Sequence, residues 1–196
     1  ADDVVESADD IPPAFRQTEF ATLYKDRIAQ TPAPINKNVG FEGIRGESIC
    51  TLKPPPDPLI KKILENAGIK GIEYKNGVPN FSPVAKGEVK IDYMLGGEGK
   101  RGNLARKTNF SQADKEFADI LNNSPELSSQ FGFIAGNISA NDIKRYRINN
   151  KITWHELNDV KTMQLVDTKI NGVFKHIGGV GEINAGAFIK GGFAEK

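Results

Sequence analysis

TWHELNDVKTMQLVDTKINGVFKHIGG, residues 153–179, holds both histidines of a 196-residue chain. Ile152-Thr153-Trp154 is β-prone and leads straight into His155 and Glu156. Asn158 and Asp159 supply a turn, and Thr162 to Val166 suits a returning strand. Asp167 or Thr168 can cap a short helix over Lys169 to His176, closed by Gly178-Gly179. The spacing predicts strand, turn, strand, helix. In such a unit the end of the first strand can meet the helix, so His155 and His176 can be neighbours despite their separation in the chain.

Two imidazoles and a carboxylate at one point suit divalent-metal chemistry. Phosphodiester cleavage needs a base to take a proton from water and a cation to hold the leaving oxygen and the nonbridging charge. Histidine near neutral pH serves either task. Glu156 follows His155 directly, so on an extended strand the two point to opposite faces. By spacing alone, two separate structural histidines fit the segment as well, and Trp154, Met163 and Leu165 read as core.

Upstream, Ser139 with Asp142 reads as a capping box opening a helix with Ile143 and Tyr146 inward. Its outer face offers Lys144, Arg145 and Arg147. Ser111 with Asp114 reads as a second such box, ahead of a helix burying Ala113, Phe117 and Leu121. GGEGKRGNLARK (96–107) reads as a glycine-rich basic loop bearing Lys100, Arg101, Arg106 and Lys107. Its glycines lack the spacing of a nucleotide-binding loop. Both basic groups are solvated surface or nucleic-acid contacts.

Toward the N-terminus, Val84 to Met94 carries one further strand, with Val89, Ile91 and Tyr93 on one face. Asn76-Gly77 signals a hairpin turn after the strand-like Ile72 to Tyr74. Asp57 caps a helix that begins at Pro58, buries Ile60, Ile63, Leu64 and Ala67, and stops at Gly68. GFEGIRGESI (40–49) reads as strand edge and tight turn. There Arg45 is a solvated turn residue or part of a phosphate-facing surface.

Residues 1–39 are expected to be a linker or N-terminal arm, with a short helix over Glu19 to Ile28, and 40–196 the functional domain. The 11 Phe, 4 Tyr and single Trp can fill a core, and 20 Gly with 11 Pro argue against a helical bundle. The single cysteine, Cys50, excludes an internal disulfide framework and reads as a small core hydrophobe. No run of 18 apolar residues is present, so no membrane segment is expected. Residues 1–20 show no signal-peptide pattern, and the initial Ala suggests a processed fragment. Six acids stand against Arg16 in residues 1–20, leaving the rest of the chain with 25 basic and 19 acidic side chains. That surplus is compatible with a polyanionic partner.

TWHELNDVKTMQLV, the later IN and FKHIGG together resemble the terminal motif of the HNH/endonuclease VII superfamily, and most closely its WHH-type nuclease domains in polymorphic bacterial toxins. FEGIRGES, GIEYKNGVPNFSPV and NFSQADKEFADIL resemble the nuclease module of LXG-type toxins exported by the type VII system. The likeness runs from about residue 40 to the C-terminus. It implies an α+β fold with a ββα-metal (His-Me finger) motif at about 150–179, set in a mixed helix and hairpin domain.

The resemblance also implies a metal-dependent endonuclease toxin acting on DNA in competing bacteria. RNA as substrate, or a decayed nucleic-acid-binding domain, are the alternatives. Such an effector is secreted, acts in the target-cell cytoplasm, and is restrained in the producer by an immunity protein. His155 is implied as central to hydrolysis and His176 as a metal ligand, with Asp159 at an acidic position of the motif. Glu156 stands where the pattern has a second histidine, and Asn171 where it often has another. Glu156 then ligates the cation or acts as the base if His155 binds metal, and Asn171 orients the imidazole or adds an amide oxygen. Fewer imidazoles favour Mg²⁺ or Mn²⁺ over Zn²⁺. Arg45 is expected to position phosphate.

Overall fold

The computed structural model describes residues 11–196, so the acidic residues 2–10 lie outside it. In chain order the elements are α1 (Pro13–Arg16), α2 (Tyr24–Ala29), β1 (Val39–Phe41), β2 (Ile49–Leu52), α3 (Pro58–Asn66), β3 (Gly71–Lys75), β4 (Val78–Pro79) and β5 (Gly87–Lys90). They continue with α4 (Lys100–Asn122), α5 (Pro125–Gln130), α6 (Ala140–Asn150), β6 (Ile152–Glu156), β7 (Thr162–Asp167), α7 (Thr168–Val173) and α8 (Gly179–Asn184). The mixed α+β architecture has two antiparallel sheets, ordered β1-β2-β3-β4 and β5-β7-β6.

β7 lies between β5 and β6, and Thr162, Met163, Gln164, Leu165 and Val166 are all buried. A strand covered on both faces serves two cores. Met163 and Leu165 join Trp154, Phe117 and Leu121 in one cluster. Val166 joins Ile170, Phe174, Phe81, Ile60 and Ile72 in the other. The β6–β7 hairpin is thus a shared wall, and its two faces fix it from both sides.

Several local readings of the sequence are realised. The Asp57 carboxylate accepts from the Leu59 and Ile60 amides at 2.9 and 3.0 Å, and Gly68 adopts φ +70° after α3. Asn76 and Gly77 both have positive φ at the β3–β4 turn, and Ser139 with Asp142 forms the reciprocal cap of α6. Cys50 is fully buried.

Others are corrected. The segment 100–107 is not a loop, and Ser111 caps nothing: α4 is one 23-residue helix running through both. Its buried stripe, Ala105, Asn109, Ala113, Phe117 and Leu121, keeps a helical spacing of four, but a buried Asn and the buried Asp114 beside it break the apolar pattern. Asp114 accepts two hydrogen bonds from Arg147, each 2.8 Å, and one from the Trp154 indole N–H at 2.8 Å. The strand expected over Val84 to Met94 is β5 alone, and Tyr93 is half exposed.

The helix expected over Lys169 to His176 ends at Val173, and Gly178-Gly179 open α8 instead of closing α7. Phe174 is drawn into the second core, and the Tyr74 hydroxyl donates to the Lys175 carbonyl at 2.9 Å. His176 therefore sits on a pinned segment between two helices.

Residues 11–38 are tied to the body. Glu182, fully buried on α8, accepts from the Ala21 and Thr22 amides, the Thr22 hydroxyl and the Asn158 amide at 2.6–3.0 Å. Arg27 donates to the Asn76 carbonyl at 2.8 Å and stacks over Phe20. No helix among the described residues is long and apolar enough to cross a membrane.

Candidate active site

His155 is the fourth residue of β6 and faces away from Trp154, toward the layer of the second core. Phe81, delivered by the β3–β4 hairpin, meets both imidazoles edge-on, with centroids 4.9 Å from His155 and 5.5 Å from His176. The two imidazoles meet as predicted: His155 Nδ1 lies 3.1 Å from His176 Nε2.

Their proton positions follow from the partners. The Phe174 carbonyl can only accept, so His176 Nδ1 carries a hydrogen and donates to it at 2.8 Å. In neutral His176 the Nε2 lone pair then faces His155. Burial, reinforced by His176, holds His155 well below the ordinary histidine value, and burial also lowers His176 against the opposing effect of the Phe174 bond. Both shifts favour the neutral rings. His155 Nε2 and the Asn171 Oδ1 are buried and make no hydrogen bond.

These groups line a pocket of about 300 Å³ together with Glu156, Arg106 and Lys175. Glu156, expected on the opposite face from His155, nevertheless lines the same pocket at the strand's end. Its Oε2 accepts from Asn109 Nδ2 at 2.7 Å, and Oε1 lies 3.9 Å from the Arg106 guanidinium. Burial raises its carboxyl above the usual value, and Asn109 and Arg106 offset part of that rise. The order of these effects leaves a carboxylate suited to receiving a proton.

The pocket floor depends on two glycines. A Cβ on Gly178 would meet the Glu156 carbonyl at 2.7 Å, and one on Gly179 the Leu157 carbonyl and Met94 sulfur at 2.5 Å. Gly179→Ala must push α8 off the end of β6. It should cost about 1–3 kcal/mol in urea unfolding, as overpacking of a tight contact does. An unchanged unfolding midpoint would mean that contact has slack.

The remaining candidates lie elsewhere. Asp159 accepts from the Lys161 and Thr162 amides and the Thr162 hydroxyl at 2.5–3.0 Å, shaping the β6–β7 turn. It borders a different cavity of about 530 Å³. The expected ligand trio of His176, Glu156 and Asp159 is not gathered: among the described residues no three His, Cys, Asp or Glu side chains form a metal-binding group. Arg45 donates to the Thr31 hydroxyl and to the Thr31 and Ala29 carbonyls at 2.8–3.2 Å, bracing the chain after α2 outside the pocket.

Arg147 is buried against Asp114 and is no phosphate contact. Arg145 pairs with Asp142, while Lys144 is exposed on α6. Lys100, Arg101 and Lys107 are exposed on α4, the helix that carries Arg106. Lys175 and Asn109 were not singled out from the sequence. Lys175 had only its place beside His176 to mark it, and Asn109 sits in a stretch read as the approach to a helix.

A family model for the DNase/tRNase domain of colicin-like bacteriocin matches residues 71–178, more than half of the chain. The chain belongs to the colicin DNase family. The match runs from β3 to Gly178 and so takes in Phe81, Arg106, Asn109, Glu156 and both histidines. No curated protein and no solved structure matches the chain. As a member of the colicin DNase family it is a nucleic-acid-hydrolysing toxin domain.

The neutral histidines give this colicin DNase family member a pH signature. Groups depressed below 6.5 in the folded state bind protons more readily when unfolded, so stability falls as pH drops through that value. The raised Glu156 acts with opposite sign, since the folded state then takes up its proton first. As pH drops through 6.5 the melting temperature should fall, and at the lower pH where the raised Glu156 takes up its proton the fall should be steeper in Glu156→Gln. Equal profiles in the two proteins down to pH 4.5 would rule out a raised Glu156.

Proposed function

We propose that the chain is a metal-dependent endonuclease that hydrolyses DNA, secreted as an effector into competing bacteria and restrained in the producer by an immunity protein. The observation that carries the catalytic part is the 3.1 Å approach of His155 Nδ1 to His176 Nε2 in a pocket that also holds the unpartnered buried Oδ1 of Asn171.

The residues fit a divalent cation. Two imidazole nitrogens each about 2.1 Å from one ion lie roughly 3.0–3.4 Å apart, which brackets the spacing of this pair. The Phe174 carbonyl already orients His176 as an outer partner of a ligand does. His155 and His176 would hold the ion, with Asn171 Oδ1 as an oxygen donor. With oxygen completing the set, Mg²⁺ or Mn²⁺ is preferred to Zn²⁺. A cation there supplies Lewis-acid stabilisation of charge on the phosphate and the leaving oxygen.

The chain's own residues do the rest. With His155 Nε2 closed off by burial, the proton acceptor in this proposal is Glu156, whose raised affinity for a proton suits the task. Glu156 takes a proton from the attacking water as the new P–O bond forms, and the departing oxygen is protonated from solvent. Arg106, only loosely paired at 3.9 Å and half exposed, is free to turn to a nonbridging oxygen. Lys100, Arg101, Lys107 and Lys144 would add sequence-independent backbone contacts.

The family's description names both DNase and tRNase domains, so RNA is the second reading. Incubating the purified chain with plasmid DNA and with tRNA, each with and without chelator, separates them. We expect metal-dependent DNA cleavage that weakens as salt rises. Cleavage of RNA alone would replace the substrate, and chelator-resistant cleavage would remove the metal.

A further inference from the structure

We propose that Asn109 is a positioning residue for this reaction, its side-chain amide assigning separate duties to the two carboxylate oxygens of Glu156. The inference rests on the role of Glu156 proposed above. Asn109 is fully buried in the middle of α4, where intrinsic helix preference gives asparagine no advantage. Its Oδ1 accepts from the Leu95 amide at 2.8 Å, while Nδ2 donates to the Leu95 carbonyl at 3.0 Å and to Glu156 Oε2 at 2.7 Å. Both amide hydrogens are used.

The Leu95 peptide decides which way that amide faces. Its N–H requires the oxygen and its carbonyl requires the nitrogen, so a flip would set Oδ1 against both the Leu95 carbonyl and Glu156. Glu156 Oε2 therefore always meets a donor, which favours it as the carbonyl-like oxygen of the carboxyl. Oε1 is the oxygen left to receive the proton, with the Arg106 guanidinium beyond hydrogen-bond length. Arg106 and Asn109, three residues apart, occupy neighbouring positions on one face of α4 and bracket the carboxylate from the same rigid element. The Leu95 bonds make the amide a fixed reference, and the bond to Glu156 transmits that reference to the reacting atom.

The test is a double-mutant cycle on metal-dependent plasmid cleavage by the full chain. Asn109→Ala should lower kcat by about 100-fold, the scale of a misplaced catalytic group. KM should stay within about twofold, because binding is not what the amide serves. In the Glu156→Gln background the same change should cost no further rate, since the atom it positions is already chemically absent. Asn109→Asp, nearly isosteric and still able to accept from the Leu95 amide, repeats the measurement if the alanine variant does not fold. It should be as slow as the alanine variant.

An unchanged kcat, a loss carried by KM, or an equal loss in both backgrounds would overturn the inference. If Glu156→Gln is too slow to measure, the split between kcat and KM in the Asn109 variants decides. Glu156→Gln at the wild-type rate would instead sink the proposed role of Glu156 itself, which is a distinguishable result.

Discussion

His155→Ala should leave a folded chain that cleaves plasmid DNA roughly a thousandfold more slowly, because in the proposed centre several kcal/mol of charge stabilisation would depend on a cation held in part by this residue. His176 cannot replace it. Its Nδ1 is committed to the Phe174 carbonyl, so a single nitrogen of that ring faces the pocket. Removing His155 takes away the nitrogen 3.1 Å opposite and leaves one imidazole and an amide oxygen. Calorimetric titration with Mn²⁺ should show affinity falling in parallel with the rate. His176→Ala should match it in both measurements. Wild-type turnover by His155→Ala in a contaminant-free preparation would dismantle the proposed centre, and turnover lost with Mn²⁺ affinity intact would move His155 from holding the ion to acting on water.

Asp114→Ala should destabilise the fold by about 3–5 kcal/mol, the range for removing one partner of a buried ion pair. Three donors depend on this carboxylate: two from Arg147 and the indole N–H of Trp154. All three residues are buried, so the Arg147 charge would be left without its counter-ion inside the α4–α6–β6 junction. The bond network also bears on the site, since Trp154 and His155 occupy opposite faces of the same strand. Urea unfolding at constant m-value reads the loss directly. Pairing Asp114→Ala with Arg147→Met should recover part of it, because an apolar replacement leaves no charge stranded. A loss below about 1 kcal/mol would show that the triad is solvated and would return Arg147 to the surface.

The failures of sequence reading have a common cause. Arg147 looked like a phosphate contact because its neighbours Lys144 and Arg145 are exposed cations, yet its place on α6 faces α4 and Asp114. The charge composition of a helix does not state which side meets the protein. The same Asp114 misled the reading of α4, since an acid three residues after a serine imitates a cap. Its true partners, Arg147 and Trp154, lie 33 and 40 positions on. Arg45 and Asp159 were drawn toward the site by residue type, and each instead satisfies nearby backbone groups.

Local chemistry determined a good deal without help. Capping by Asp57 and Ser139, the Asn76-Gly77 turn and the β6–β7–α7 order all follow from short-range hydrogen bonding and backbone preference, which act within a few residues. The meeting of His155 with His176 was legible only as one of two readings, because the spacing of the segment also suits two separate structural histidines; the contact itself is a product of the fold. What only tertiary packing decided was the company they keep. Phe81 beneath the rings, Asn109 and Arg106 around Glu156, and the loosening of α7 before His176 arise from contacts between segments distant in sequence. Burial at such contacts biases the protonation and fixes the orientation that the chemistry needs, and local periodicity, which marked apolar stripes, does not mark which polar side chains are covered.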